Sequence, residues 1–267
     1  MRIKIIILVS MLSLLVSCGS KDVKVTEVKS KAELIEEVYV KSGLSKQVPT
    51  FQTQTDQVLK MYEGRLPPKF LKILTSKINK IYDPVMLEKR IKHNMNANIS
   101  EDVLRHKIKW YNSDLGIKIT ALEVKGSQGD PKELFSYIIQ NKNTKFPQKR
   151  VTLLKRFNIA INQVELLTDF SIYGSMLAFD ILNDMNPKTK QYTKEQLKQF
   201  ISTQRIKIRA SMEKLASLST MHTYISLSNE ELLKYVEFLE LPKSKVFNDE
   251  LLRSIFRSIY TKADLTI

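Results

Sequence analysis

VTLLKRFNIAINQVELLTDFSIYGSMLAFDIL, residues 151–182, is the stretch that decides the fold. Leu153, Leu154, Phe157, Ile161, Val164, Leu167, Phe170, Tyr173, Leu177 and Ile181 recur at three and four spacing over several faces. That is the period of a helix, and apolar residues around much of its circumference predict a central, buried one within residues 148–183. A membrane span is excluded, because Lys155, Arg156, Glu165, Asp169 and Asp180 interrupt the run and a span needs about 20 apolar residues. Gly174, inside the helix, is expected to mark a close crossing of two helices.

The flanking sequence carries the same period with unusually clear punctuation. Ser30 with Glu33, Thr193 with Gln196 and Ser228 with Glu231 fit capping boxes, and Asp83-Pro84 and Asp130-Pro131 set a capping carboxylate before a proline at the first helical position. Gly43 and Gly64 read as helix stops. These signals predict helices at 31–42, 46–63, 67–81, 84–97, 100–112, 115–124, 131–141, 148–183, 194–225, 228–240 and 243–260. Only seven glycines and eight prolines punctuate 267 residues, and a single cysteine excludes a disulfide within the chain. The fold class is therefore all-α, a multi-helix bundle whose stability rests on helix packing.

An internal repeat organises the bundle. SEDVLRHKIKWYNSDLGIKITAL at residues 100–122 aligns with SNEELLKYVEFLELPKSKVFNDE at residues 228–250. Leu104/Leu232, Ile108/Val236, Trp110/Phe238, Tyr111/Leu239 and Ile119/Phe247 stand in register, and each copy is a capped helix, a break and a second helix. Amphipathic helices also resemble one another through periodicity alone, so duplication and coincidence both stand. If the repeat is a duplication, two similar helical halves, residues 31–125 and 131–267, meet near Gly126-Ser127-Gln128-Gly129, the second half holding the long central helix.

Ala32-Glu33-Leu34-Ile35-Glu36-Glu37, leading through Lys41-Ser42-Gly43-Leu44, carries a family resemblance. So do the Trp110-Tyr111-Asn112-Ser113-Asp114-Leu115-Gly116 break with Lys118-Ile119-Thr120-Ala121-Leu122-Glu123 after it, and Leu232 to Phe238 with Pro242. Together they resemble the helical domain-of-unknown-function family 2059 of bacterial envelope proteins, in two degenerate copies. The second copy departs from the pattern, with Leu239 for the tyrosine and Ser244 for the glycine. The resemblance implies an exported all-helical module and brings no catalytic residues.

The amino terminus supplies the address. Arg2 and Lys4 precede an apolar run of about a dozen residues ending in Leu15-Val16-Ser17-Cys18, the layout of a bacterial lipoprotein signal. Residues 1–17 read as a signal peptide cleaved between Ser17 and Cys18, with Cys18 lipidated and residues 18–30 a polar tether. Each buried methylene of an acyl chain contributes about 0.8 kcal/mol of membrane affinity, so several chains make a permanent anchor. By likeness to lipoprotein sorting in enteric bacteria, Gly19 in place of an aspartate after the cysteine predicts the outer membrane, facing the periplasm.

Chemistry leaves little local trace. His93, His106 and His222 lack a second histidine or cysteine at metal-ligand spacing, and no glycine-rich phosphate loop or Gly-x-Ser-x-Gly elbow occurs. No catalytic residue, metal or cofactor is assigned. Trp110-Tyr111 admits two readings, a partner-binding aromatic pair or a staple between helices. Charge is the stronger clue: 43 lysines and arginines face 28 acids, a net +15 that falls to +13 without Arg2 and Lys4. Residues 134–163 carry Lys142, Lys145, Lys149, Arg150, Lys155 and Arg156 before any isolated acid intervenes. A basic face of this kind attracts anionic lipid, lipopolysaccharide or acidic wall polymer, or an envelope protein partner; secretion and the lack of a binding motif argue against nucleic acid. The candidate partner-binding set is Trp110, Tyr111, Lys142, Lys145, Lys149 and Arg150. The expected role is a structural or interaction module of the cell envelope; the alternative is a periplasmic hydrolase or wall-modifying enzyme whose site is assembled from distant helices around a polar cleft.

Overall fold

In a computed structural model the chain divides into two units, Met1–Ser30 and Lys31–Ile267. The structure describes residues 29–60, 63, 64, 66–185 and 192–259, so the expected cleavage and lipidation positions, Ser17 and Cys18, lie outside the described residues. The second unit is all-α. Its helices are α1 (Lys31–Lys41), α2 (Leu44–Lys60), α3 (Pro68–Ile81), α4 (Pro84–Asn98), α5 (Glu101–Tyr111) and α6 (Asp114–Gln128). They continue as α7 (Pro131–Asn141), α8 (Gln148–Ala160), α9 (Gln163–Met185), α10 (Lys194–Thr223), α11 (Asn229–Glu240) and α12 (Pro242–Ile259). Among the described residues no helix is long and apolar enough to cross a membrane.

The caps explain why the helices start where they do. Asp83 accepts from the Met86 amide at 2.8 Å and Asp130 from the Lys132 amide at 2.9 Å, each with proline at the first helical position. Thr193 with Gln196 and Ser228 with Glu231 close reciprocal boxes at the starts of α10 and α11. Gly43 ends α1 at φ +80°, and a Cβ there would stand 2.4 Å from Val124 Cγ2. Glycine is thus required twice over, for the left-handed turn and for the close approach of α6.

Three expectations are corrected. The single helix at 148–183 is two helices, because Asn162 adopts φ 52° and breaks the ladder between α8 and α9. Asparagine tolerates the left-handed region better than other non-glycine residues, so it interrupts the helix at modest cost. Nor is the second of these helices a wholly buried axis. Glu165 and Asp169 on α9 pair with Arg205 and Arg209 on α10, at 3.0, 2.8 and 2.5 Å, on half-exposed surface. Gly174 is exposed with nothing within 4 Å of a Cβ, so no helix crosses there.

The expected halves also interleave. One core gathers Leu34, Ile35, Val38 and Tyr39 of α1, Leu87, Ile91 and Met95 of α4, and Leu104 of α5 around Phe247 and Ile259 of α12. The other gathers Ile119 of α6 with Leu153, Leu154 and Phe157 of α8, Met221 of α10 and Leu232, Tyr235, Val236 and Leu239 of α11. Each core draws on both sides of residues 126–129, and residues 31–267 form one unit. The aligned segments instead meet face to face. Lys107 lies over Phe238 while Tyr235 stacks on Trp110, and 107/235 and 110/238 are aligned positions. Such reciprocity, one residue contacting another whose counterparts also touch, is the pattern of a two-fold interface.

Candidate functional site

The place where α5 meets α11 is built from two groups of three aromatic rings. On one side the Lys107 ammonium lies 5.4 Å from the ring centre of Tyr111 and 4.8 Å from those of Phe238 and Phe247. Lys107 belongs to the apolar face of α5 by register, one turn after Val103 and Leu104 and one turn before Tyr111, so the helix carries its side chain into the interior. It is 3 % exposed, and its hydrogen bond to Asn248 Oδ1 is long, at 3.4 Å. Burial pushes its pKa down to about 7, the Glu123 carboxylate beyond Trp110 opposing that shift only in part. Beside it, His106 stacks on Phe238 and holds Ser244 Oγ at 3.0 Å, and burial lowers its pKa too.

On the other side stands Glu123. It follows Ile119 by one turn of α6, a core register that brings its carboxylate against α10 and α11. Tyr224 OH donates to Oε1 at 2.6 Å and Tyr235 OH donates to the same oxygen at 2.8 Å. Among the described residues the second oxygen, Oε2, has no donor. Phe157 completes the ring set: its centre lies 5.1 Å from that of Tyr224 and 5.7 Å from that of Tyr235, while the two tyrosines are 6.0 Å apart. Glu123 and these rings line a cavity of about 290 Å³ with Gln47, Gln163, Ser219, Thr220 and Thr223 among its other walls. Burial raises the Glu123 pKa, the two tyrosine hydroxyls and Lys107 opposing that shift only in part. Both tyrosine pKa values move well up, through burial first and the neighbouring carboxylate second. A convergent set of amides, hydroxyls and one carboxylate of altered acidity within a cavity is what a binding or catalytic site requires.

Trp110 is the wall between the two groups. Its ring stacks on Phe238 at 4.1 Å and on Tyr235 at 5.6 Å. Trp110 therefore staples α5 to α11, while Tyr111 is half-buried against Lys107 and also lines a groove with Lys41, Lys46 and Lys125. Arg150 is likewise corrected from a surface cation to a structural one. It is 8 % exposed and donates to the Leu227 carbonyl at 2.9 Å and to the Tyr224 carbonyl, tying α8 to the loop before α11. Lys142, Lys145 and Lys149 are exposed, the last 4.0 Å from Glu230. Tertiary packing separates three lysines from one arginine that adjacent sequence had grouped together.

A second concavity holds the basic surface that the sequence led to elsewhere. Lys41, Lys46 and Lys125 line a groove of about 680 Å³ floored by Val40, Ile117, Ala121 and Val124, and no carboxylate is among its lining residues. Val40 and Ile117 are 53 % and 58 % exposed, so the floor is apolar surface open to solvent. Lys41 is also held by Asn112 Oδ1 at 2.6 Å and lies 3.8 Å from Glu37. Of the candidate binding set only Tyr111 lines this groove, its lysines were not singled out from sequence, and neither was Glu123 in its chamber. The chamber's partners are 101 and 112 positions from Glu123, beyond any local pattern. The available signal was a charge at a core register, at Lys107 and at Glu123. The chain matches no protein-family model, no curated protein and no solved structure.

Proposed function

We propose that this protein is a lipid-anchored module of the bacterial cell envelope, fastened through Cys18 and binding an anionic partner through its basic surface. The observation that carries the partner class is the groove of Lys41, Lys46 and Lys125 over exposed Val40 and Ile117. Lysines around an apolar floor suit an amphipathic anion: ammonium groups meet the charge and aliphatic carbons meet the chain. Anionic lipid, lipopolysaccharide and acidic wall polymer share that charge, and an anionic lipid fits the apolar floor best. The address rests on Ser17-Cys18 behind the apolar run, and the resemblance to the family 2059 envelope proteins supports it.

Two measurements test this reading. Fractionation of a producing cell should find the protein with the outer membrane and a Cys18→Ser variant in the soluble fraction; an unchanged distribution contradicts the anchor. Co-sedimentation of the Cys18→Ser chain should be stronger with vesicles containing phosphatidylglycerol than with phosphatidylcholine alone. Lys46→Glu with Lys125→Glu should erase the difference, and equal sedimentation in all cases contradicts the anionic partner. The hydrolase reading draws on one observation, Glu123 lining a polar cavity with its pKa raised by burial, the direction in which a general acid is tuned. A purified chain that releases fragments from wall polymer, and loses that activity on Glu123→Gln, would favour it.

A further inference from the structure

The two ring sets at the α5–α11 contact differ in what the chain itself puts between them. Tyr111, Phe238 and Phe247 surround an ammonium, the Lys107 side chain. Tyr224 and Tyr235 present their hydroxyls to a carboxylate instead, Phe157 packs against both tyrosine rings and lines the same cavity, and none of the described ion pairs includes Glu123. Ring faces carry negative potential, so three rings and a carboxylate make a stronger cation-binding environment than three rings and an amide. In the first set Asn248 is the one described side chain that bonds the ammonium, and burial lowers the lysine pKa to about 7. Rings alone do not offset the desolvation of the charge, so a carboxylate at contact is what the second set adds.

The carboxylate is also oriented. Both tyrosine hydroxyls load Oε1, which fixes the group by two donors and leaves Oε2 without a donor among the described residues, on a side chain that lines the cavity. Gln47, Gln163, Ser219, Thr220 and Thr223 offer neutral hydrogen-bonding groups around the same space. At about 290 Å³ the cavity lies at the small end of ligand pockets, which run from roughly 300 to 1,000 Å³.

We propose that the Glu123 chamber binds the primary ammonium group of a small molecule, which donates to Oε2 of Glu123 among the rings of Phe157, Tyr224 and Tyr235. The upward shift of the Glu123 pKa accords with this, since burial raises it and the two tyrosine hydroxyls and Lys107 offset that only in part, so a cation at contact would gain from the remaining charge. The net positive charge of the chain does not forbid it. Exposed charges more than about 8 Å away are largely screened at physiological ionic strength. The buried cation coupled to Glu123 is Lys107, beyond Trp110, which offsets the carboxylate only in part, whereas a guest would act on it at contact. The site is independent of the lysine groove and of the anchor, so either reading stands if the other falls.

Isothermal titration of the full chain in detergent at pH 7.5, with ionic strength matched, tests the proposal with ethanolamine and with ethylene glycol, which replaces the ammonium by a hydroxyl. Ethanolamine should bind at least about tenfold more tightly, the worth of one charge-assisted hydrogen bond, and Glu123→Gln should remove that advantage. Glycerophosphoethanolamine tells two sources apart: tighter binding than ethanolamine identifies a lipid headgroup as the source, weaker binding a free amine. Equal affinity for ethanolamine and ethylene glycol in the wild-type chain, or no heat from either, overturns the proposal. The wild-type comparison stands even if the Glu123→Gln chain does not fold.

Discussion

Lys107 and Glu123 occupy counterpart surroundings with opposite consequences. Each lies among three aromatic rings beside the α5–α11 contact, and Trp110 separates them. Lys107 is enclosed: the rings and Asn248 cover it, and burial depresses its charge without a cavity to admit a partner. Glu123 is open on one side to polar space. The difference teaches that a buried charge alone does not mark a site. An enclosed one is a cost carried by the fold, and one that lines a polar cavity with an acceptor to spare is what the proposed ammonium guest would use.

Removing the shared wall is the largest perturbation of this pair. Trp110→Ala should lower stability to urea by about 3 to 5 kcal/mol, the range for deleting a large aromatic side chain, and disturb both ring sets together. A loss below 1 kcal/mol would mean that the rings on the two sides hold each other without it. Circular dichroism reads the transition, since the chain has a single tryptophan to lose.

Lys107→Met sharpens the contrast next. The folded pKa of about 7 lies below the unfolded value of about 10.4, so between them the unfolded chain binds the extra proton. Stability therefore rises with pH across roughly 7 to 10, and the full penalty is present below 7. At pH 7 the methionine variant should be more stable than the wild type by up to about 4 kcal/mol, less whatever the three rings return to the cation. The alkaline rise should vanish with it. Urea titrations at pH 6.5 and pH 9 check both outcomes, and a destabilised variant with the rise intact would show that the ammonium is held favourably.

Tyr224→Phe is the smaller test from the other side. It removes one of the two donors to Oε1 and leaves Tyr235 in place, so a loss of about 1.5 to 3 kcal/mol is expected, the range for a hydrogen bond to a charged group. The Glu123 pKa should rise further, read by carboxyl NMR titration. An unchanged titration would mean that the hydroxyl does not hold the carboxylate.

Much of the bundle was legible because local chemistry dictates it. Thr193 with Gln196, Ser228 with Glu231, Asp83-Pro84 and Asp130-Pro131 mark helix starts through bonds made within four residues. The break at Asn162 was not, since an asparagine in a helical period carries no signal until its φ is known. Arg150 and Lys149 are neighbours in sequence, yet one reaches carbonyls 74 and 77 positions away and the other faces solvent. Tyr224 and Tyr235 find Glu123 only after α10 and α11 fold back on α6. Lys107 and Glu123 did stand on apolar helix faces, the one local sign that each goes inside. What that sign omits is the cavity, which belongs to the packing of six helices, α2, α6, α8, α9, α10 and α11.

The account turns on whether the Glu123 carboxylate is kept for a guest or for the fold. Urea unfolding of Glu123→Gln at pH 7 decides between them. The folded pKa of Glu123 is raised, so its charged form costs stability once the pH exceeds the unfolded value of about 4.3, and the glutamine relieves that cost while keeping the shape. The expected result is a midpoint equal to or above that of the wild type; a fall of about 2 kcal/mol or more, the cost of leaving buried partners unpaired, would make the chamber a structural network and contradict the account.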